Sequence, residues 1–307
     1  MLLFYEPSKE NGYEKVEVPS GKGTTLIFSE GFTRDDAAYL VESFEVTKHT
    51  LDDIFDVDEL PRVESDDNFE YVYLRNLEVT GNKTTSHPLL FIIGEALFAC
   101  VSINKQPTDG IMALQNGNDK LPTNHRRLLV RGVSTIVKHY EEIIDDIGGN
   151  IQTIEKRMRS HEADNRDFFS FVGIESSLNR ANMNLVGLST VAEKLMTAAK
   201  TKPERELFDD IILYSRQLIV EIDSHLKSIK SVREAYSTVA NNTLNQRMKM
   251  LTALTLLMAI PNVFFGMYGM NIALPFMDQP WAYPAVVGFS ALIIITVYVV
   301  ARRHRFF

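Results

Sequence analysis

Cysteine and tryptophan are almost absent from this 307-residue chain, which holds one of each. A single thiol, Cys100, excludes a disulfide framework within the chain and any multi-cysteine metal centre. Lying in the apolar run 97–103, it reads as a buried structural thiol. The chain also lacks a glycine-lysine-serine/threonine phosphate loop, a His-Glu-x-x-His pair and a Gly-x-Ser-x-Gly turn, so an enzyme reading has no residues to stand on. Residues 1–10 carry early acidic side chains and no long apolar core, so neither a secretory signal nor an arginine-rich transit peptide is expected there. Basic charge is in the minority, with 32 Lys and Arg against 40 Asp and Glu and a net charge of −8. That balance argues against a nucleic-acid surface and suits a protein that meets cations, a solvated acidic surface being the commoner reading.

Charge is scarcest near the C-terminus. Between Lys249 and Arg302 the only charged residue is Asp278. A helix rises about 1.5 Å per residue, so roughly 20 apolar residues cross a hydrocarbon core, and this run divides into two such lengths at Asn271, Pro275, Asp278, Gln279 and Pro280. The expectation is a two-pass hairpin with both termini on one side. Arg247 and Lys249 precede the first span, Arg302, Arg303 and Arg305 follow the second, and the loop between has no basic residue. Lys and Arg mark the cytoplasmic flanks of a span, so both termini are expected in the cytosol. Tyr268, Trp281 and Tyr283 then fall at the outer interface, and Tyr298, Phe306 and Phe307 at the inner one.

The rest of the chain is large enough to own a core. Short β-branched and aromatic runs at 2–5, 24–28, 71–77, 89–93 and 97–103 read as strands. Between them, Thr33 with Asp36 forms a capping-box pattern that opens a helix reaching Ser43, and a second short helix fits 51–55. Residues 106–124, rich in Pro, Gly and Asn, read as a boundary. Beyond it strand signals vanish. Gly148 and Gly149 are expected to interrupt or kink the first helix, and Pro203 to start a later one that nothing stops before Pro261. Along it Ile211, Ser215, Leu218, Ile222, His225, Ile229, Val232, Tyr236, Val239 and Thr243 alternate at spacings of four and three, a heptad seam suited to packing against other helices.

At the end of the first span stands Tyr268-Gly269-Met270-Asn271. With Asn242-Thr243, Asn245, Met248-Lys249 and Leu251-Thr252 before the span, Tyr283-Pro284 at the start of the second, and HTLDDIFDVDELPRVE at 49–64, the sequence resembles the CorA family of magnesium channels over nearly its whole length. The resemblance implies an α+β membrane protein. Its parts are a cytosolic α/β domain (1–122), a helical funnel or coiled-coil domain with the cytosolic part of the long pore helix (123–249), a first transmembrane helix (250–270), an external loop (271–280), a second transmembrane helix (281–301) and a basic cytosolic tail (302–307). It further implies a homo-oligomer, a pentamer, in the plasma or inner membrane, carrying Mg2+ and admitting Co2+ and Ni2+.

Starting at Asn245, positions Met248, Leu251, Thr255, Ala259 and Asn262 follow at steps of three and four and share one helical face. In a ring of such helices Asn245 would form a polar inner constriction, Met248 and Leu251 a hydrophobic collar, and Asn262 an outer polar ring. Packing against a neighbouring helix is the reading for an arbitrary span; continuity with Gly269, Met270 and Asn271 favours a pore. Mg2+ dehydrates reluctantly, so neutral oxygens of Asn271 and of the backbone near Gly269 suffice to receive it hydrated. Pro261 frees the carbonyl of Leu257 and marks a kink, passive or gating. Two departures from the family stand out. The outer loop reads Leu274-Pro275-Phe276-Met277-Asp278 where many relatives have Met-Pro-Glu-Leu, which leaves a ring of Asp278 to concentrate cations. Ala259 replaces a larger residue, so either the pore is wider there or Met258 turns inward.

The resemblance also implies an inhibitory cation site between subunits. Asp210 matches in position, with Asp209 beside it; Glu78 is a weak partner, and Glu234 would line an acidic funnel. Solvated helix acids are the alternative for Asp209, Asp210 and Glu234 alike. Two rivals remain, a transporter of Co2+, Ni2+ or Zn2+ on the same scaffold and a membrane-tethered coiled-coil adaptor.

Overall fold

The computed structural model describes residues 2–8, 12–20, 23–29, 31–80, 83–104, 124–159, 165–269 and 278–303. They divide into two compact units, Met1–Lys230 and Ser231–Phe307.

The first unit is built on a seven-stranded sheet in the order β2-β1-β3-β7-β6-β5-β4. The strands are β1 Leu2–Ser8, β2 Gly12–Val16, β3 Thr25–Ser29, β4 Arg62–Ser65, β5 Glu70–Thr80, β6 Lys83–Ile93 and β7 Leu97–Ser102. All neighbours are antiparallel except β3 and β7, where Thr25 to Phe28 lie beside Leu97 to Cys100 in parallel register. Five strands fall where the sequence places them, and β1, β5 and β6 extend further. The edge strands β2 and β4 were not expected: they are short and mostly polar, and carry no apolar run.

Side chains alternate faces along a strand, and each face of the sheet is covered. On one face Tyr71, Tyr73, Leu90, Ile92, Ala99 and Val101 pack with Leu40, Leu51 and Ile54. These last three belong to α1 (Arg34–Phe44), α2 (Lys48–Asp52) and the 3-10 turn Asp53–Phe55. Each fully buried Leu or Ile is worth about 1.5–3 kcal/mol. The capping box is present, Thr33 Oγ1 accepting from the Asp36 N–H at 3.2 Å and Asp36 Oδ2 from the Thr33 N–H at 3.0 Å. The opposite face presents Phe91, which packs at 6.1 Å on Phe98, whose ring also lies 6.1 Å from His125. His125 begins α3 (His125–Arg159), which continues along the sheet, placing the Tyr140 hydroxyl 2.9 Å from the Arg75 carbonyl oxygen. Cys100 is fully buried, and burial pushes its thiol pKa up.

Helix α3 runs unbroken through Gly148 and Gly149, which corrects the expected interruption. The reason is packing: a Cβ at Gly148 would come within 3.0 Å of the His225 ring, so the glycine is a slot for that ring. Helix α4 (Asn165–Ala198) packs on β4, β5 and β6, and Asn184 Nδ2 donates to Ser86 Oγ at 2.9 Å. Helix α5 (Lys202–Tyr268) spans 67 residues, with Pro203 in its first turn, and continues past Pro261. Helix α6 (Ala282–Arg303) follows. The boundary expected at 106–124 lies, but for Asn124, outside the described residues.

Candidate functional site

The seam on α5 is buried at Ile211, Ser215, Leu218, Ile222 and Ile229. It is partly covered at Val232 and Tyr236 and exposed at Val239 and Thr243. Toward its N-terminal end α5 meets α3 through polar contacts. Tyr214, hydrogen-bonded to Glu141 and near Asp145 and Glu221, has its pKa pushed up to about 12. Ser228 Oγ donates to Glu155.

From Ser231 onward α5 has a different character. It and α6 each contain a stretch long and apolar enough to cross a membrane. Only 6% and 11% of those stretches is buried within the chain, whereas the core helix of a soluble protein is mostly buried. Asn245, Met248, Leu251, Thr255, Ala259 and Asn262 are all exposed on this helix, forming one uncovered stripe. Ala253, Leu257, Ile260 and Pro261 form a partly covered stripe on the other side. Met258 is exposed as well as Ala259, so in the single chain both remain available.

The hydroxyl of Thr255 donates to the carbonyl of Leu251 at 2.9 Å, and Thr252 bonds back to Met248 at 2.9 Å. With its proton committed, Thr255 Oγ1 presents only lone pairs outward. A hydrated divalent cation turns water protons toward its surroundings, so acceptors such as Thr255 Oγ1 and the Asn carbonyls suit it. At the end of α5 the Gly269 N–H donates to the Phe265 carbonyl at 3.0 Å. A Cβ there would sit 3.2 Å from that oxygen, tight for any other residue. Met270 and Asn271 lie outside the described residues; Asp278 is exposed at the turn before α6.

The expected regulatory acids are not brought together in one chain. Asp209, Asp210 and Glu234 are exposed on α5. Glu78, on β5, is already engaged, accepting from Asn104 Nδ2 and lying 3.5 Å from His87 Nε2. Burial holds the pKa of His87 below its ordinary value against the opposing pull of Glu78. Among the described residues no group of three or more His, Cys, Asp or Glu is arranged to hold a metal.

The segment 49–64 is a structural clamp. Arg62 pairs with Asp53 and Glu64, each at 2.7 Å, and with Glu59, and lies 3.9 Å above the Tyr73 ring. Arg75 donates to the carbonyls of Val57 and Glu59. Pro61 presses on α4 so closely that a Cβ at Gly187 would approach it to 2.7 Å. One polar group of the apolar region was missed in the sequence, Ser290 on α6. It is 3% exposed, and its Oγ has no hydrogen-bond partner. Its signal was a hydroxyl within an apolar span.

The family described as CorA-like Mg2+ transporter protein matches residues 30–303. The cobalt/magnesium transport protein CorA of Methanocaldococcus jannaschii is 23% identical over 261 residues, covering 81% of this chain and 80% of that protein. The protein of the same name in Thermotoga maritima is 20% identical over 304 residues, covering 92% and 83%. In fold, the complete CorA magnesium transporter of M. jannaschii matches with a TM-score of 0.86 at 21% identity, over 99% of this chain and 98% of that one. The full-length CmaX protein matches with a TM-score of 0.72 at 15% identity, over 98% and 97%.

Proposed function

Because the chain belongs to the family of CorA-like Mg2+ transporter proteins, we propose that it forms a homo-oligomeric pore, a pentamer, that conducts Mg2+ into the cell down the membrane potential. The observation that carries this reading is the uncovered stripe Asn245, Met248, Leu251, Thr255, Ala259 and Asn262, polar at both ends, on a helix that ends at Tyr268, just before Gly269. An anchor has no use for two asparagines and an acceptor-only threonine on one exposed face of a span. A ring of these stripes provides polar constrictions for a hydrated ion and an apolar collar that closes by dewetting. Gly269, Met270 and Asn271 form the outer mouth, and Asp278 concentrates cations there. Co2+ and Ni2+, of the same charge, enter by the same route. Both termini face the cytosol.

The driving force is electrical. A divalent ion crossing 100 mV gains about 4.6 kcal/mol, or roughly three decades of accumulation. Such a pore must close when the cytosol is replete, and Asp210 is the residue assigned to that inhibitory site. Among the described residues one chain assembles no ligand set, so in this reading the remaining ligands come from a second copy.

The test is influx of Mg2+ into proteoliposomes under an imposed negative-inside potential, read by an internal dye, for the native chain and for Asn271→Ala. Potential-dependent influx that the variant loses by about tenfold or more is expected. Absence of influx at low internal Mg2+ despite correct insertion overturns the reading in favour of another ion or an adaptor.

A further inference from the structure

Helix α5 runs beside α3 in the same direction. Tyr214 meets Glu141, the His225 ring lies in the Gly148 slot and Ser228 bonds Glu155, so the contacts advance together along both helices. The first of them is an ion bridge. Arg126, in the first turn of α3, holds Glu70 of β5 at 2.8 Å through Nη1, and Glu204, in the first turn of α5, at 3.7 Å through Nε. One guanidinium thus joins the sheet to the start of α5.

The bridge is shielded from water. Its three side chains are 16–30% exposed, and Glu70 Oε2, Arg126 Nη1 and Glu204 Oε1 are each sealed from solvent with no hydrogen-bond partner. Charge is balanced there by charge, and removing one member of such a set leaves another uncompensated. Arg126 is itself held in place. Its backbone N–H donates to Asn124 Oδ1 at 2.8 Å, and the neighbouring His125 donates from Nδ1 to the Gly94 carbonyl at 2.7 Å. The first turn of a helix lacks intrahelical partners for its N–H groups and frays readily. In α5 that turn is pinned at Glu204, an acid suited to a helix N-terminus. Asp210 stands about 9 Å further along the axis and about 120° round it, so Glu204 turns toward Arg126 while Asp210 stays exposed.

We propose that Arg126 is a positioning residue for the inhibitory cation site: by pinning the first turn of α5 to the sheet, it fixes where Asp210 is presented. This rests on the pore reading and on the assignment of Asp210 to closure. Arg126 touches no ion and acts through Asp210, on the helix that it holds. The competing account is a bridge that only stabilises the fold.

A double-mutant cycle separates them. Arg126→Gln and Glu204→Gln are made in the full chain, each with and without Asp210→Ala, and reconstituted in proteoliposomes. The internal Mg2+ concentration of half-closure is read beside influx at low internal Mg2+ and the melting temperature. Loss of the pin should raise half-closure about threefold, leave influx at low internal Mg2+ at its native level, and add nothing in the Asp210→Ala background. Glu204→Gln leaves Arg126 paired with Glu70, so it carries the test should Arg126→Gln fail to fold. A lower melting temperature with native half-closure overturns the positioning role, and so do equal shifts with and without Asp210. If Asp210→Ala alone leaves closure unaltered, the regulatory assignment falls; if the native protein shows no influx, the pore reading falls. In either case the positioning role falls with it.

Discussion

Asp66 shows how much of the first unit depends on single polar groups. Its Oδ1 accepts from the backbone N–H groups of Asn68 at 2.9 Å and Phe69 at 2.7 Å, and its Oδ2 from Thr47 Oγ1 and the Tyr71 hydroxyl, each at 2.8 Å. Burial pushes its pKa up, and the four donors more than offset that, holding it below the ordinary value. A depressed carboxyl contributes stability above its unfolded pKa of about 3.9 and loses it as pH falls through the folded value. Asp66→Asn should therefore flatten the decline of melting temperature between about pH 5 and pH 3 relative to the native chain. Parallel melting curves for the two proteins would refute the assignment. Arg62 and Arg75 act on a loop in a similar way, and their carbonyl and carboxylate partners could not be named from spacing alone. Gly187 was equally silent in the sequence, since only the approach of Pro61 gives its missing side chain a purpose.

Among the elements, the proposed function rests on α5. Cys100 is fully buried and burial raises its thiol pKa, so a cysteine introduced elsewhere would be the reactive thiol. Asn245→Cys, Thr255→Cys and Asn262→Cys lie on the uncovered stripe, and Ala253→Cys on the covered one. A charged, water-soluble thiol reagent should abolish most Mg2+ influx through the first three and leave Ala253→Cys conducting. Equal block at all four would remove the stripe from the pore. This helix was legible because its signals are local and repeated: a proline at its start, a heptad seam, a charge-free run. The strands β3, β5, β6 and β7 were legible for the same reason, being buried and apolar. What local pattern does not encode was lost. The edge strands β2 and β4 exist because a partner strand supplies their hydrogen bonds. Gly148 stays helical because His225 fills its vacant side. Pro261 does not end its helix, since in an apolar run there is no water to take up the backbone of a broken one.

At the scale of the whole molecule, the acids of the proposed regulatory site do not meet among the described residues of one chain. Asp210 is exposed, Glu78 is occupied by Asn104 and His87, and no metal-binding cluster forms among the described residues. The acids were visible in the sequence, but in the proposed assembly which of them meet is set by contacts between copies. If Asp210 serves closure, Asp210→Ala should raise the internal Mg2+ concentration of half-closure by about tenfold, the equivalent of 1.4 kcal/mol, while leaving influx at low internal Mg2+ unchanged. Unaltered inhibition in that variant would return Asp210 to the solvated surface. The parallel pairing of β3 with β7 has a consequence for biosynthesis. Strand Thr25–Ser29 lies between β1 and β7, and only the β1 side can close early. On the order of 70 further residues must be translated before its second neighbour exists, roughly 4–14 s at ordinary elongation rates. During that interval Leu26, Ile27 and Phe28 lack half their shelter on the ribosome, and a chaperone that binds short apolar strands would find them there before the sheet does.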